Sequence, residues 1–434
     1  MKICSKNNIR TIAGIMAATL LLGGCTVTSN PNNNNGVKDP PNLKTEIKLD
    51  EVSKTDYDQE LMDGLYRKYC FDLFSQTVRD YGSEENVMIS PASVMIALDM
   101  VAAGAKEDSL KQLTDLFAAG QGPLTQQAYA AALMDKINGS KSVEFSCANA
   151  VWSNETILGD TVNKEYVSYI QDTFNAEYHV SKFSSKTSGE INKWVDKHTD
   201  HMIKKVIGEL DPSTVMVLVN AIAFDGKWAV PYEEYQVKDG DFTRWDGTVQ
   251  TVKYLHGGEN TYYETEKATG FRKSYEGGQY SFIAILPTDE SISANEFVRN
   301  FTAEDYEDFI GSVSYEYDVF TTMPEFSSDF EFLLNGTLEN LGAGDVFHTE
   351  KADLSGIAGN PGDLYVSKVI HKTHIEVDAN GTKAAAVTAI SLDAGSAMPI
   401  EKEFKYVECV RPFVYAIVDN ETNAPVFIGT VNEV

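Results

Sequence analysis

Two pairs of histidines are the side chains whose spacing could support metal chemistry. His198 and His201 lie three residues apart in a predicted helix, which places both rings on one face. Asp200 is the one carboxylate between them in the sequence, so these residues do not supply a complete set of metal ligands. His371 and His374 lie in a strand pattern, where an odd separation turns them to opposite faces. We therefore predict no metal site and no cofactor.

Sequence motifs for hydrolysis, phosphate binding and calcium binding are missing. The chain contains no Gly-x-Ser-x-Gly elbow and no glycine-rich phosphate loop. Asp239-Gly240-Asp241 and Asp246-Gly247 have turn composition, but no Glu follows where it would close a calcium loop. The sequence therefore gives no support to a hydrolase, a phosphate-binding protein or a calcium-binding protein.

Residues 381–392 have a period-two pattern that allows two conformations. One face is small or apolar throughout and consists of Thr382, Ala384, Ala386, Thr388, Ile390 and Leu392. The charged side chains lie on the other face, so the first face can be buried as a strand without burying a charge. Its alanines and threonines would make a weak permanent core strand. The segment is predicted to be either an exposed loop or an inserted strand; an alanine-rich helix is the alternative, which its β-branched residues disfavour.

Composition limits the class of protein and its partners. The 434 residues are 43% hydrophobic, enough for a large core, and the formal net charge is −28. Such an acidic surface argues against nucleic acid or an anionic membrane surface as a partner.

The first 56 residues have the composition of an export signal and a tether. Lys2, Lys6 and Arg10 precede a short apolar stretch, residues 11–23. The stretch ends in Leu22-Gly23-Gly24-Cys25, which resembles a bacterial lipoprotein processing site; an ordinary secretory signal is the alternative. The resemblance implies that residues 1–24 are removed and that Cys25 carries the lipid. Residues 25–56 are rich in Asn, Pro, Thr and Lys and would form a flexible tether. The protein would then be an exported, membrane-anchored lipoprotein that faces the periplasm or the outside of the cell.

Five cysteines occur, and their wide spacing is neither a disulfide framework nor a metal pattern. Cys4 belongs to the signal. We predict that Cys70, Cys147 and Cys409 are buried free thiols.

Helical periodicity is concentrated in the first half of the chain and strand patterns in the second. Helices are predicted over residues 61–79, 92–105, 106–119, 126–138, 163–174 and 188–207. Strands are predicted over residues 215–224, 281–287, 313–326, 364–377, 413–418 and 426–431. This distribution favours one α+β domain, residues 57–434, over alternating βαβ units.

Six short motifs occur in order along residues 60–434. They are Ile89-Ser90-Pro91-Ala92-Ser93; Ile191-Asn192-Lys193-Trp194-Val195 with Thr199; Asn220-Ala221-Ile222-Ala223-Phe224-Asp225-Gly226-Lys227-Trp228; Val366-Ser367-Lys368-Val369-Ile370-His371-Lys372; Arg411-Pro412-Phe413; and Phe427-Ile428-Gly429-Thr430-Val431. With these motifs the chain resembles the serpin family. The resemblance implies a fold of three β-sheets and about nine helices, with an exposed reactive loop at about residues 379–403.

The resemblance also implies a mechanism. Inhibitory serpins are suicide substrates: a serine or cysteine protease attacks the loop and forms an acyl-enzyme. The freed part of the loop then inserts into the central sheet and distorts the protease. Because the chemistry belongs to the protease, the resemblance implies a protein that is not an enzyme and has no catalytic residues. Insertion requires small, uncharged side chains, which Thr382, Ala384, Ala386 and Thr388 supply after the hinge Gly381. Ala379 and Asn380 depart from the family, where acidic residues are common, and this puts in doubt how tightly the closed state is held.

Further residues take their expected roles from the resemblance alone. Ser90, Ser93, Asn220 and His371 match a polar cluster under the central sheet that helps to control sheet opening. Trp228 matches an aromatic residue near the insertion point. Simple packing in the core is the alternative for all five.

Two counts along the loop give different cleavage sites. Counting from the hinge glycine points to Gly395–Ser396, whereas counting back from the C-terminal motif suggests Ala397 or Met398. All these residues are uncharged, so the implied target is a protease with a small S1 pocket: elastase-like, subtilisin-like or papain-like. We expect a monomer. A non-inhibitory serpin acting as a binding protein or decoy substrate is the alternative.

Overall fold

The computed structural model describes residues 46–159, 161–199, 201–211, 213–382 and 402–434, which belong to one compact unit. Ten α-helices occur in these ranges: α1 Gln59–Tyr81, α2 Pro91–Ala102, α3 Glu107–Ala118, α4 Pro123–Asn138, α5 Glu155–Leu158, α6 Lys164–Phe174, α7 Thr187–His198, α8 Ala294–Asn300, α9 Ala303–Gly311 and α10 Asn335–Asn340. Among the described residues, we find no helix with both the length and the apolar character needed to cross a bilayer.

Sixteen strands occur in the described residues. They are β1 Met88–Ile89, β2 Val143–Asn154, β3 Glu177–Ser181, β4 Met216–Lys227, β5 Val237–Thr243, β6 Val249–Glu259, β7 Tyr262–Glu264, β8 Ala268–Ser274, β9 Tyr280–Pro287, β10 Tyr317–Pro324, β11 Phe326–Leu333, β12 Lys368–Val377, β13 Gly381–Thr382, β14 Glu403–Glu408, β15 Phe413–Asp419 and β16 Pro425–Val431.

These strands form three sheets, so the predicted α+β class with three sheets is confirmed. The central sheet has the order β11-β12-β13-β4-β2-β3. The second sheet has the order β1-β16-β15-β9-β8-β7, and the third has the order β14-β10-β6-β5.

Strand β4 is buried on both faces of the central sheet. Val217, Val219 and Ala221 pack into one apolar cluster with α7. Met216, Leu218 and Ile222 pack into the main core on the opposite face. This alternation explains why the strand is an almost uninterrupted apolar run in the sequence.

Helices α1 and α2 begin at side-chain caps that the sequence provides. The Asp58 carboxylate accepts a hydrogen bond from the Leu61 amide (3.1 Å), and Gly82, whose φ is 65°, caps the C-terminus of α1. The Ser90 hydroxyl accepts from the Ser93 amide (3.3 Å), and Pro91 occupies the first turn of α2. The N-terminus of α2 is thereby fixed under the central sheet.

The helix predicted over residues 188–207 is wrong in its second half, because α7 ends at His198. The Thr199 hydroxyl donates to the Val195 carbonyl (2.9 Å) and accepts from the Ile203 amide (3.1 Å). Asn192 Oδ1 accepts hydrogen bonds from the amides of Val206 (2.8 Å) and Ile207 (3.0 Å). Hydrogen bonds to side chains therefore replace the backbone hydrogen bonds that a helix would make here. The apolar residues of this stretch still pack into the core.

The strand predicted over residues 313–326 is also wrong, since it is two strands in two sheets. β10 ends at Pro324, which has no amide hydrogen to continue a ladder, and β11 begins at Phe326. Between them the Glu325 amide donates to the Lys253 carbonyl (2.8 Å). The sequence did not predict this change of sheet, because the alternation of apolar residues continues from one strand into the next.

Candidate functional site

The first two residues of the predicted inserting segment form strand β13, at one end of the central sheet. β13 is antiparallel to both neighbours: Thr382 pairs with Val377 of β12 and with Gly226 of β4. Thr382 is fully buried. A Cβ at position 381 would collide with the Gly226 carbonyl, which explains why a glycine is needed there.

We call residues 378–382 the hinge, and a compact turn holds its first part. The Asp378 carboxylate accepts from the amides of Asn380 (2.7 Å) and Gly381 (3.1 Å). The Ala379 carbonyl accepts from the Tyr232 amide (2.8 Å), and its side chain packs against the core. Backbone contacts therefore hold the hinge at the two positions where an acidic side chain was expected from the family.

Trp228 and Tyr275, which we call the aromatic platform, lie against the hinge. Their rings stack at 4.6 Å with an interplanar angle of 13°. The Trp228 indole donates to the Asp378 carbonyl (2.9 Å), and the Trp228 amide donates to the Asn380 carbonyl (2.9 Å). The Tyr275 and Thr382 hydroxyls are hydrogen-bonded at 2.6 Å. The structure thus places Trp228 beside the hinge, and it adds Tyr275, which sequence reasoning missed.

A buried ion pair supports the platform. Lys273 Nζ lies 3.0 Å from Glu259 Oε1, and the two side chains are only 7% and 16% exposed. The same ammonium group lies 4.3 Å from the ring centre of Tyr232 and 5.5 Å from that of Trp228. Burial raises the pKa of the Glu259 carboxyl, although Lys273 opposes this shift. The pair joins β6 of the third sheet to β8 of the second, next to the hinge.

The four residues of the predicted polar cluster lie together beneath the central sheet. The Ser90 amide donates to His371 Nε2 (3.0 Å), and the Ser93 hydroxyl donates to Asn220 Oδ1. The Asn220 amide group donates to Asn149 Oδ1 (2.7 Å). Asn149 was missed because nothing in its local sequence distinguishes it. We call these five residues the polar cluster.

His371 is neutral in this environment. Burial lowers the pKa of its imidazole to about 3. Because Nε2 accepts the hydrogen bond from Ser90, the ring hydrogen lies on Nδ1. His371 therefore holds α2 through an uncharged hydrogen bond, a positioning role rather than a catalytic one.

The polar cluster spans the seam, our name for the ladder in which β12 pairs directly with β4. This ladder is parallel and runs from Lys368↔Val217 to His374↔Ala223. His371 and Asn220 are directly paired within it. Ser90 is hydrogen-bonded to His371 of β12, and Ser93 is hydrogen-bonded to Asn220 of β4. The N-terminal end of α2 therefore contacts both strands of the seam.

Several predicted site residues lie outside the described residues. They are Cys25, Ala384, Ala386, Thr388, Gly395, Ser396, Ala397 and Met398. The structure therefore places Trp228 against the hinge and groups the polar-cluster residues at another position along β4 and β12. It leaves the cleavage site and the lipid site as predictions.

The remaining histidines and the cysteines make separate contacts. His198 Nε2 lies 3.3 Å from Glu177, whereas His201 Nδ1 lies 3.0 Å from Asp196. Within the described ranges, no three His, Cys, Asp or Glu side chains are grouped so as to hold a metal ion. Cys70 and Cys409 are buried free thiols as predicted, while Cys147 is only half-buried.

Comparison with known proteins agrees with this architecture. The family model for serpins (serine protease inhibitors) matches residues 65–434. A serpin-like protein of Methanosarcina mazei is 29% identical, and the match covers 84% of this chain and 85% of the relative. Leukocyte elastase inhibitor A of Mus musculus is 29% identical, with coverage of 84% and 97%.

A solved structure shows the same fold at higher identity. The native-state crystal structure of tengpin, a thermophilic serpin, has a TM-score of 0.79 and 36% identity, and the match covers 88% of this chain and 96% of tengpin. This chain belongs to the serpin family, whose members are generally protease inhibitors rather than enzymes.

Proposed function

We propose that this serpin is a suicide-substrate inhibitor of serine proteases, and of cysteine proteases where the S1 pocket fits. The observation that carries the proposal is strand β13, which places Gly381 and Thr382 in hydrogen-bonding register between β12 and β4. A strand continued beyond Thr382 in this register would run along the seam. Cleavage of the loop would free them to continue the strand.

The hydrogen-bond pattern of the seam supplies a driving force for insertion. At present one parallel ladder joins β12 to β4. An inserted loop would replace it with two antiparallel ladders, as β13 already does at the end of the sheet. Antiparallel pairing is slightly more stable per residue, and the number of ladders doubles.

The side chains of the loop fit this route. In a strand every second residue lies on the same face, so Ala384, Ala386 and Thr388 would follow buried Thr382 into the core. None of them carries a charge, whose burial without a partner would cost several kcal/mol. Insertion would require α2 to release one strand of the seam, which gives the polar cluster control of the opening.

Cleavage at Gly395–Ser396, or near Ala397 and Met398, fits a protease with a small S1 pocket. No Lys or Arg occurs between positions 384 and 400, which disfavours a trypsin-like target. The name of the mouse relative, leukocyte elastase inhibitor A, supports an elastase-like target. Subtilisin-like and papain-like proteases have pockets of the same kind.

Residues 1–56 would place the inhibitor at a membrane. We propose that Cys25 is lipidated and that residues 26–45 tether the domain, because Ile47 and Val52 are already buried in the core. The domain then acts as an anchored monomer facing the periplasm or the outside. Replacing Cys25 with Ser in the producing cell should shift the protein from the membrane to the soluble fraction. Retention of the variant in the membrane would contradict a lipid anchor.

The test of the proposed function compares two charged substitutions on opposite faces of the loop. We expect the chain to form a denaturant-stable complex with elastase, subtilisin or papain on a denaturing gel. Thr382→Arg should abolish the complex and leave a cleaved substrate, because it buries a charge in the hinge. Ala385→Arg is the matched control, because position 385 lies on the other face of the strand pattern. This variant should still form the denaturant-stable complex.

The mass of the released C-terminal fragment identifies the cleaved bond in the same experiment. A complex that persists with Thr382→Arg would contradict loop insertion. Cleavage of the unmodified chain without any complex would instead favour a decoy substrate or binding protein.

A further inference from the structure

A cavity of about 230 Å³ lies between α1, α4 and the turn that joins β15 to β16. None of its lining residues belongs to the hinge, the aromatic platform or the polar cluster. Pockets for drug-sized ligands are typically about 300–1,000 Å³, so this cavity suits a smaller molecule.

Aromatic rings form much of the cavity wall. Tyr129 of α4 lies 5.8 Å from Tyr57 and 5.7 Å from Tyr66 of α1, measured between ring centres. Tyr280 of β9 also lines the space. The face of a tyrosine ring attracts cations, and the ring also supplies a large apolar surface.

Asp63 supplies an acceptor inside the cavity. Its residue is only 9% exposed, and it accepts hydrogen bonds from Gln59 Nε2 (2.9 Å) and from the Tyr129 hydroxyl (2.8 Å). Both bonds end on Oδ1. A carboxylate has about four acceptor positions on two oxygens, so Oδ2 is available to a ligand that donates hydrogen bonds.

The cavity has an excess of negative charge. Lys136 Nζ lies 2.8 Å from both Asp419 and Glu421. Burial disfavours the charged form of Lys136, but its hydrogen bonds to these two carboxylates outweigh burial and raise its pKa. The one lysine is thus committed to two carboxylates, and Asp63 has no cation of its own among the lining residues.

We propose that this cavity binds a small organic cation, an ammonium group on an aromatic or aliphatic body. The ammonium group would donate to Asp63 Oδ2, and the body would lie among Tyr57, Tyr66 and Tyr129. A ligand of this kind supplies the charge that a nearly buried carboxylate lacks. The site is separate from the loop, so binding does not depend on protease inhibition.

Phenethylamine is a suitable probe, since it joins a ring to a primary ammonium group. Isothermal titration of the whole chain should give a dissociation constant of about 0.1–1 mM, as expected for a ligand of this size. 2-Phenylethanol has the same shape without the charge. It should bind at least about tenfold more weakly, which corresponds to about 1.4 kcal/mol.

Two aspartates at the start of α1 provide a matched pair of variants. Asp63→Asn keeps an oxygen for Tyr129 but removes the charge, and should weaken phenethylamine binding at least about tenfold. Asp58→Asn should leave binding unchanged, because Asp58 caps α1 outside the cavity and Asn is an equally good cap.

A third variant provides an independent test in case Asp63→Asn does not fold. Ala132→Trp should fill the cavity from α4 and abolish binding while leaving all the carboxylates in place. The proposal is overturned if phenethylamine does not bind, if 2-phenylethanol binds equally well, or if Ala132→Trp binds phenethylamine like the unmodified chain.

Discussion

At the scale of single residues, His371 makes the stability of the seam depend on pH. Its pKa is about 3 in the folded protein because the ring is buried, whereas an unfolded chain takes up the proton at about pH 6.5. Between these values the unfolded state binds more protons. Stability is therefore complete above pH 6.5 and falls by about 1.4 kcal/mol for each unit below it.

His371→Gln should reduce this pH dependence, since Gln can accept from the Ser90 amide without titrating. Between pH 7.5 and pH 5, the unmodified chain should lose about 2 kcal/mol more than the variant, as measured by urea unfolding. His374→Gln is the control, because His374 lies in the same strand and is partly exposed beside Asp329. Equal pH dependence in all three proteins would contradict the role of His371.

Tyr275 is the platform residue that is hydrogen-bonded to Thr382 of the hinge. Tyr275→Phe would leave the fully buried Thr382 hydroxyl without its 2.6 Å partner. We expect β13 to be destabilised by about 1–3 kcal/mol and its amides to exchange hydrogen faster. Tyr415→Phe is a matched control, because the buried Tyr415 hydroxyl has no hydrogen-bond partner in the described structure. If the two variants exchange alike, the Tyr275 contact is unimportant.

At the scale of elements, the buried pair Lys273–Glu259 joins two sheets beside the hinge. Lys273→Met should destabilise the protein by about 3–5 kcal/mol, because Glu259 would be left buried without its partner. Adding Glu259→Gln should recover a large part of the loss. Thermal unfolding of both single variants and of the double variant measures this coupling. Additive losses would show that the two residues act independently.

The sequence predicted elements well where local signals and burial agreed. Asp58 and Gly82 bound α1, Ser90 and Pro91 begin α2, and β4 is an apolar run because both of its faces are buried. The prediction failed after His198, where side-chain hydrogen bonds of Asn192 and Thr199 replaced those of a helix. It also failed at Glu325, where the chain changes sheet without a break in apolar alternation.

The site was predicted in part for a related reason. Trp228 and four residues of the polar cluster lie in the short sequence motifs, and Gly381 and Thr382 begin the segment with the period-two pattern. Asn149 becomes significant only through its hydrogen bond with Asn220 of another strand, and the Lys273–Glu259 pair only through a contact between two sheets. Strands β6 and β8, which carry Glu259 and Lys273, were also missed, and they lie in two different sheets.

At the scale of the whole molecule, the central sheet contains two kinds of pairing between β12 and β4: direct parallel pairing, and pairing through an intervening antiparallel strand, β13. The seam is closed along residues 368–374, yet β13 has already opened it at one end. Hinge, platform and polar cluster all contact the two strands that must separate or the loop that would enter. This common location is the physical basis for proposing an inhibitor that works by changing its own fold.

The most direct measurement is the thermal stability of the chain before and after cleavage of its loop. Limited proteolysis near Gly395 should raise the melting temperature substantially, and amides of residues 368–374 and 217–223 should become more protected against hydrogen exchange. Both changes follow from replacing one parallel ladder with two antiparallel ladders. An unchanged melting temperature, with unchanged exchange along the seam, would contradict loop insertion and with it the proposed mechanism.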